Sequence, residues 1–168
     1  MRTLSRTLAS TAATAVICLA LALPASAATL IEYRGETSAP SWNRVVAYVL
    51  KKDNGRRLLR FIAIRSTLTC EDASTQKKHF IIGIGPLGKD GSFEREITAG
   101  EYDDVATYLR VGGTIGFRSG SGTALFNRAV LTQDGMDAQL CTSGELTWTV
   151  DRVSAEPVKP STLDIAGG

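Results

Sequence analysis

The sequence is poor in the residues that most catalytic and metal sites use. Its 168 residues include one histidine, His79, and three cysteines, and only 7% are aromatic. A single imidazole excludes any metal site that needs two or more histidines from one chain. With 43% hydrophobic and 21% charged residues, the composition is that of one globular domain. It excludes a disordered acidic tail, a collagen-like repeat and a disulfide-dense miniprotein.

Long hydrophobic runs are also missing, apart from a short one near the N-terminus. Arg2 and Arg6 precede the apolar run 16–23, and Ala25-Ser26-Ala27 offers the small residues that a signal peptidase accepts. The run is shorter than the roughly 20 residues that a membrane span needs. We therefore predict that residues 1–27 are a signal peptide. The mature protein is then secreted, either extracellular or associated with the cell envelope, with no membrane span.

Removal of the signal peptide leaves no net charge. The peptide holds two of the 19 basic residues and none of the 17 acidic ones, so 17 of each remain. A neutral chain without a basic and aromatic platform argues against nucleic-acid binding. The charges are nevertheless segregated, since residues 44–65 are strongly basic and residues 90–104 strongly acidic. A basic hairpin suits an anionic polymer or lipid surface, although Lys and Arg also protect sheet edges from aggregation.

Two cysteines, Cys70 and Cys141, remain in the mature chain. An even pair in an oxidising compartment predicts one disulfide. The alternative is a pair of free thiols in a metal or redox site, but the chain offers neither a CxxC spacing nor further ligands.

Alternating apolar residues and turn motifs predict strands throughout the mature chain. Residues 44–51 are rich in β-branched residues, and Asp53-Asn54-Gly55 predicts a tight hairpin turn. In the return strand 58–68, we expect Leu58, Ile62, Ile64 and Leu68 on one face. Further strands are predicted at 79–85, 92–98, 124–132 and 145–153, with a turn at 119–122. Residues 99–110 are ambiguous, and we favour a helical turn at 100–105 followed by a strand.

Seven to nine short strands without βαβ alternation predict an all-β fold, an antiparallel β-sandwich or flattened barrel with one disulfide. We expect an N-terminal segment 28–43, a β-domain 44–153 and a flexible tail 154–168. The predicted core consists of Phe61, Ile62, Ile64, Ile82 and Trp148.

One set of spaced cysteine, glycine and aromatic residues forms a recognisable pattern: Cys70, Asp90-Gly91-Ser92-Phe93, Gly113, Gly122-Thr123, Cys141, Gly144 and Trp148. This pattern resembles small secreted bacterial β-domains of uncharacterised function. The resemblance covers about residues 44–153 and lacks one feature, a glycine soon after the first cysteine. It implies a disulfide-linked β-sandwich and no particular activity.

Four patterns could belong to an enzyme, and each has a simpler structural explanation. The glycines of 83–88 match G-x-G-x-x-G, but Pro86 and a following strand leave no helix for a dinucleotide. Ser74 and Lys77 lack the other motifs of penicillin-recognising enzymes. His79 has no nucleophile or acid placed beside it by the sequence, and Glu94 with Glu96 is a common exposed pair. We predict no catalytic residue, no metal and no cofactor.

We predict instead a non-enzymatic, monomeric binding protein whose partner is a macromolecule or a cell-envelope polymer. The candidate binding residues combine basic and aromatic side chains: Arg56, Arg57, Arg60, Trp42 and Tyr48. One alternative is a carbohydrate-binding module, which would need an exposed row among Trp42, Tyr33, Tyr48, Tyr102 and Tyr108. The other is a hydrolase built on His79 or the acid pair.

Overall fold

A computed structural model describes residues 28–99, 107–131 and 138–158, and these residues form nine β-strands. The predicted signal peptide 1–27 and helical turn 100–105 lie outside the described residues. The strands are β1 (Thr29–Thr37), β2 (Arg44–Lys51), β3 (Arg57–Cys70), β4 (Thr75–Ile82), β5 (Gly85–Pro86), β6 (Ser92–Ala99), β7 (Thr107–Ile115), β8 (Ser119–Leu131) and β9 (Ala138–Pro157).

All nine strands belong to one antiparallel sheet, so the predicted all-β antiparallel fold is confirmed. The strand order is β4-β3-β2-β1-β9-β8-β7-β6, with the short β5 paired to β3. Consecutive strands are mostly neighbours because short turns such as 53–55 join them, and Gly55 there has φ +77°. Nowhere in the described ranges is there a helix long and apolar enough to cross a membrane.

The sheet folds back on itself around one hydrophobic core. Strands β4 and β8 are far apart in the strand order, yet the rings of Phe80 and Phe126 stack with centroids 4.1 Å apart. At the other side of the core, Phe93 of β6 contacts Trp148 of β9, with ring centroids 5.9 Å apart. One face of each half is therefore buried, and the opposite faces are exposed to solvent.

The β1–β2 connection fills a gap between β3 and β9. Ser38 of this connection exchanges hydrogen bonds with Thr147 of β9, while the Thr67 hydroxyl of β3 donates to the Ser41 carbonyl at 3.3 Å. Beyond this connection β3 and β9 pair directly, and there Cys70 lies opposite Cys141. The predicted disulfide between these cysteines is present.

Two predictions about the core at β3 are wrong, and a β-bulge in the β2–β3 pair explains one of them. The register shifts between Tyr48 and Val49, which brings Leu59 to the buried face and leaves Leu58 half-buried. Strict alternation cannot reveal the extra residue of a bulge, so Leu58 was assigned to the wrong face. Phe61 alternates with buried Ile62 and therefore lies outside the core, on the outer face, where its ring contacts Tyr48 with centroids 5.0 Å apart. The other predicted core residues, Ile62, Ile64, Ile82 and Trp148, are buried.

The predicted turn at 119–122 lies inside strand β8 instead. The chain turns at residues 116–118, and Gly122 pairs with Gly113 of β7 and Trp148 of β9. A Cβ atom at Gly122 would lie 2.6 Å from Cζ2 of Trp148 and would also meet the Gly112 carbonyl oxygen. Glycine is therefore required here because the Trp148 ring approaches the backbone, not because the chain turns.

The sheet extends beyond the predicted β-domain at both ends. Strand β1 covers 29–37 and pairs with both β2 and β9. Residues 154–157, which were expected to begin a flexible tail, continue β9 and pair with residues 29–32 of β1. The Val158 amide also donates to the Ala28 carbonyl at 2.8 Å, so the two ends of the described fold are adjacent.

Candidate binding surfaces

The outer face of β2, β3 and β4 carries an apolar row that is exposed at one end. Val46, Ala63 and Ile81 lie side by side on the three strands. Ile81 is 65% exposed, whereas Val46 is half-buried and Ala63 is buried. The tilted pair of Tyr48 and Phe61 lies next to this row. Apolar side chains clustered on a sheet face are typical of a contact surface for another molecule.

Trp42 extends this face at the end of the β1–β2 connection. Its indole is 40% exposed and lies against two cations, with Cζ of Arg65 at 4.8 Å and Nζ of Lys77 at 5.6 Å from the ring centroid. Both distances are within the range of a cation–π interaction. We call the set Trp42, Tyr48, Phe61, Arg65, Lys77 and Ile81 the Trp42 surface.

The backbone of Trp42 adopts a left-handed conformation with φ 54°. This conformation is unfavourable for a bulky side chain, with a typical cost of about 1–2 kcal/mol. Surrounding contacts hold it in place: the Thr37 amide donates to the Asn43 carbonyl at 2.7 Å, and Thr67 holds Ser41. Strained residues persist where the surroundings define their position, and they are common in binding sites.

The charge on this surface is positive towards β3 and β4. The outward positions of these two strands carry Arg65, Lys77 and His79 and no carboxylate. The acidic side chains of the same face lie on β1, where Glu32 forms a salt bridge with Arg34 and Glu36 accepts a hydrogen bond from Asn43. The cations beside Trp42 are therefore available to an anionic partner.

The five predicted binding residues lie in two separate regions. Trp42 and Tyr48 belong to the Trp42 surface, whereas Arg56 and Arg57 lie at the β2–β3 turn, beside a groove described below. Arg60, exposed at the β-bulge, lies between them. Eight residues of β3 separate Arg57 from Arg65, or about 26 Å at the usual rise of a strand.

Sequence reasoning did not identify Arg65 and Lys77 as partners of Trp42. Both residues occupy outward positions in alternating strands, and that pattern is visible in the sequence. Their convergence on Trp42 depends on the β3–β4 register, in which Lys77 pairs with Thr67 and His79 with Arg65. A single sequence does not specify this register.

The residues considered for catalysis lie apart from one another. His79 is exposed beside Arg65 on β4, and Glu94 and Glu96 are exposed on β6, opposite Gly112 and Arg110. The glycines of 83–88 form a loop around β5 that leads into β6. Within the described ranges, no three His, Cys, Asp or Glu side chains come together as a metal-binding group.

Two of the aromatic residues considered for a sugar-binding row are not seen there. Tyr33 is 1% exposed and donates its hydroxyl to the Gly116 carbonyl at 2.9 Å. Tyr102 lies outside the described residues. Phe117, which is exposed, lies under the Arg152 guanidinium in the β7–β8 turn.

No known protein family model matches the chain, and no curated protein was found to be similar to it.

Proposed function

We propose that this is a secreted, non-enzymatic protein that binds an anionic macromolecule outside the cell through the Trp42 surface. Export is supported by the composition of residues 1–27 and is compatible with the Cys70–Cys141 disulfide. A carboxylate-bearing polymer of the cell envelope or an acidic protein would both supply the required charge.

One observation carries the proposal: Trp42 is exposed in a strained conformation between two cations. An exposed side chain contributes little to the hydrophobic core, so the cost of this conformation is not offset by burial. Trp and Arg are the residues that most often dominate binding energy at interfaces. A surface that combines the two is suited to binding.

An anionic partner fits this surface better than a neutral one. Arg65 and Lys77 can each form charge-assisted hydrogen bonds to carboxylates while their side chains remain against the indole. The exposed side chain of Ile81, with the half-buried Val46, would contact the carbon backbone of the partner. Because the cations are solvent-exposed, binding should weaken as the salt concentration rises.

The test compares two aromatic substitutions in the mature chain 28–168. Trp42→Ala removes the proposed contact, and Phe117→Ala is the matched control, because Phe117 is also exposed beneath a guanidinium. Binding to immobilised poly-L-glutamate and polygalacturonate is measured at two salt concentrations. We expect Trp42→Ala to weaken binding to at least one polymer by about tenfold or more, and Phe117→Ala to leave it unchanged.

Two results would contradict the proposal. The first is equal binding by the Trp42→Ala and Phe117→Ala proteins. The second is equally tight, salt-independent binding to a neutral glucan, which would indicate sugar stacking rather than charge recognition.

A further inference from the structure

A groove lies at the end of β3 opposite to the Trp42 surface. Its volume is about 440 Å³, within the range of roughly 300–1,000 Å³ that is usual for small-molecule sites. One wall is the β2–β3 turn at residues 54–57, and the other is the loop 86–89 between β5 and β6. A smaller depression beside it shares Arg56, Arg57 and Pro86 and adds Lys52.

Backbone hydrogen bonds fix both walls of the groove. In the β2–β3 turn, the Arg56 amide donates to Oδ1 of Asn54 at 3.0 Å. The Leu87 amide of the opposite wall donates to the Arg57 carbonyl at 3.0 Å, so the two walls are joined at the floor. A ligand would therefore enter a site whose shape exists before binding, which lowers the entropic cost of association.

Arg57 lines this groove, and contacts with Ile115 and Gly91 fix its guanidinium. Its Nη1 donates to the Ile115 carbonyl at 2.8 Å. Its Nη2 lies against Gly91, where the Cβ atom of any other residue would be only 2.8 Å away. Gly91 also has φ +89°, a conformation that favours glycine. The hydrogen bond to Ile115 and the contact with Gly91 therefore fix the position of the Arg57 guanidinium.

The charge around the groove is positive. Lys52, Arg56, Arg57 and Lys89 line it or its adjoining depression, and no carboxylate of the described residues lies within ion-pair distance of these four. Two acids are neighbours in sequence, Asp53 and Asp90, and Asp90 also lies beside Gly88 of the groove. The Asp90 carboxylate accepts hydrogen bonds from the Ser92 amide and hydroxyl, at 3.0 and 2.6 Å, and these bonds, with a smaller contribution from Arg57, lower its pKa. The groove and its adjoining depression therefore bring together four cationic side chains and at most two carboxylates.

We propose that this groove binds a phosphate group. Cations line the groove on both walls, and a tetrahedral phosphate presents oxygens in several directions at once. A planar carboxylate presents only two. Arginine guanidinium groups bind phosphate oxygens through paired N–H donors, and Lys89 would add a point charge from the opposite wall. The site is distinct from the Trp42 surface and does not depend on it.

The experiment measures binding of inorganic tripolyphosphate to the mature chain by calorimetry. The double variant Arg56→Gln/Lys89→Gln removes one exposed cation from each wall and leaves Arg57 in place. The matched control, Arg65→Gln/Lys77→Gln, removes the same charge from the Trp42 surface. We expect saturable binding by the unmodified protein, a loss of about tenfold or more in the first variant, and little change in the control.

A second measurement distinguishes the source of the phosphate. Sedimentation with phosphatidylcholine vesicles that contain phosphatidylglycerol tests a lipid headgroup, and pure phosphatidylcholine vesicles are the reference. Vesicle binding that depends on Arg56 and Lys89 assigns the site to lipid, whereas tripolyphosphate binding alone assigns it to a soluble or polymeric phosphate. The proposal is overturned if neither probe binds, or if the two double variants lose binding equally.

The test of phosphate binding is independent of the test of the proposed function. Trp42→Ala should leave tripolyphosphate binding unchanged, and Arg56→Gln/Lys89→Gln should retain binding to the carboxylate polymers. Failure at one site therefore leaves the other testable.

Discussion

Cys70 and Cys141 face each other directly across β3 and β9, with 3.9 Å between their Cα atoms. Both side chains are buried in the core. The bond closes the sheet beyond the β1–β2 connection, where β1 and β2 no longer separate β3 from β9. It therefore links the two halves of the fold at a junction that Glu71 and Asp72 also hold through hydrogen bonds to Leu140 and Gln139.

Replacing both cysteines by alanine should destabilise the protein substantially. The disulfide closes a loop with a sequence separation of 71 residues. Such a constraint reduces the entropy of the unfolded chain by up to about 4 kcal/mol in the loop-closure treatment. Urea denaturation of the double variant measures the loss. Reduction of the unmodified protein should lower stability to a similar degree, and an unchanged midpoint after complete reduction would contradict the prediction.

Substitution of Gly122 by alanine should cost about 1–3 kcal/mol, because the added methyl group would overlap the Trp148 ring and the Gly112 carbonyl. Gly83→Ala is the control, since a Cβ there would meet only the Arg60 carbonyl oxygen at 3.8 Å. Thermal unfolding followed by tryptophan fluorescence reports both stability and the surroundings of Trp148. Equal melting temperatures for the two variants would show that the ring moves aside at no cost.

Trp42→Gly should abolish polymer binding with little loss of stability. Glycine removes the strain of the left-handed backbone, worth about 1–2 kcal/mol. The indole loses two exposed cation–π contacts of about 0.5–1 kcal/mol each. Ala73, with φ 61° in the exposed turn after β3, provides the comparison. Ala73→Gly should stabilise the protein slightly and leave binding intact, whereas a large loss of stability in Trp42→Gly would assign Trp42 a structural role.

Stability should fall at alkaline pH partly because of Tyr33. Burial raises the pKa of Tyr33 above its ordinary value of 10.0, although nearby Arg57 and Arg152 oppose the change. The folded protein then keeps the phenolic proton at a pH where the unfolded chain has lost it. The contribution is complete below pH 10.0 and is lost as the pH rises through the raised pKa.

Comparison with Tyr33→Phe isolates this effect. The variant lacks the hydrogen bond to Gly116 and should be about 1 kcal/mol less stable at neutral pH. Its stability should decline less steeply above about pH 10. The pKa of Tyr48 is also raised, by burial and by Glu32. Because Tyr48 is present in both proteins, it does not affect the difference in stability between the unmodified protein and Tyr33→Phe. Parallel stability curves for the two proteins would contradict this assignment.

The sequence predicted the features that depend on local chemistry. Strand β2 matches its predicted bounds 44–51, and the turn at Gly55 follows from Asn54-Gly55. Within the predicted strand 145–153, Trp148 is buried as expected, together with Leu146 and Val150, while the residues between them are exposed. The pairing of Cys70 with Cys141 followed because the third cysteine, Cys18, lies in the predicted signal peptide.

Features that depend on long-range register were not predictable in the same way. The bulge opposite Tyr48 brought Leu59 instead of Leu58 to the buried face, and the approach of Trp148 determined the role of Gly122. Tyr33 looked like a candidate for exposure, but β1 lies in the middle of the sheet and the side chain is buried. Each of these outcomes is decided by a partner strand far away in sequence.

The adjacency of Ala28 and Val158 determines how the protein is oriented when it is attached to a support. Strand β1 runs from this point towards Trp42, so Trp42 lies about 30 Å from Ala28 and Val158, judged from nine residues of strand. Tyr48 and Phe61, which pair beside Glu32, lie closer to the two ends. A tag, a fused domain or a support attached at either end would sit at the same pole of the molecule. Immobilisation through either end should therefore leave the opposite pole, and any partner bound there, equally accessible.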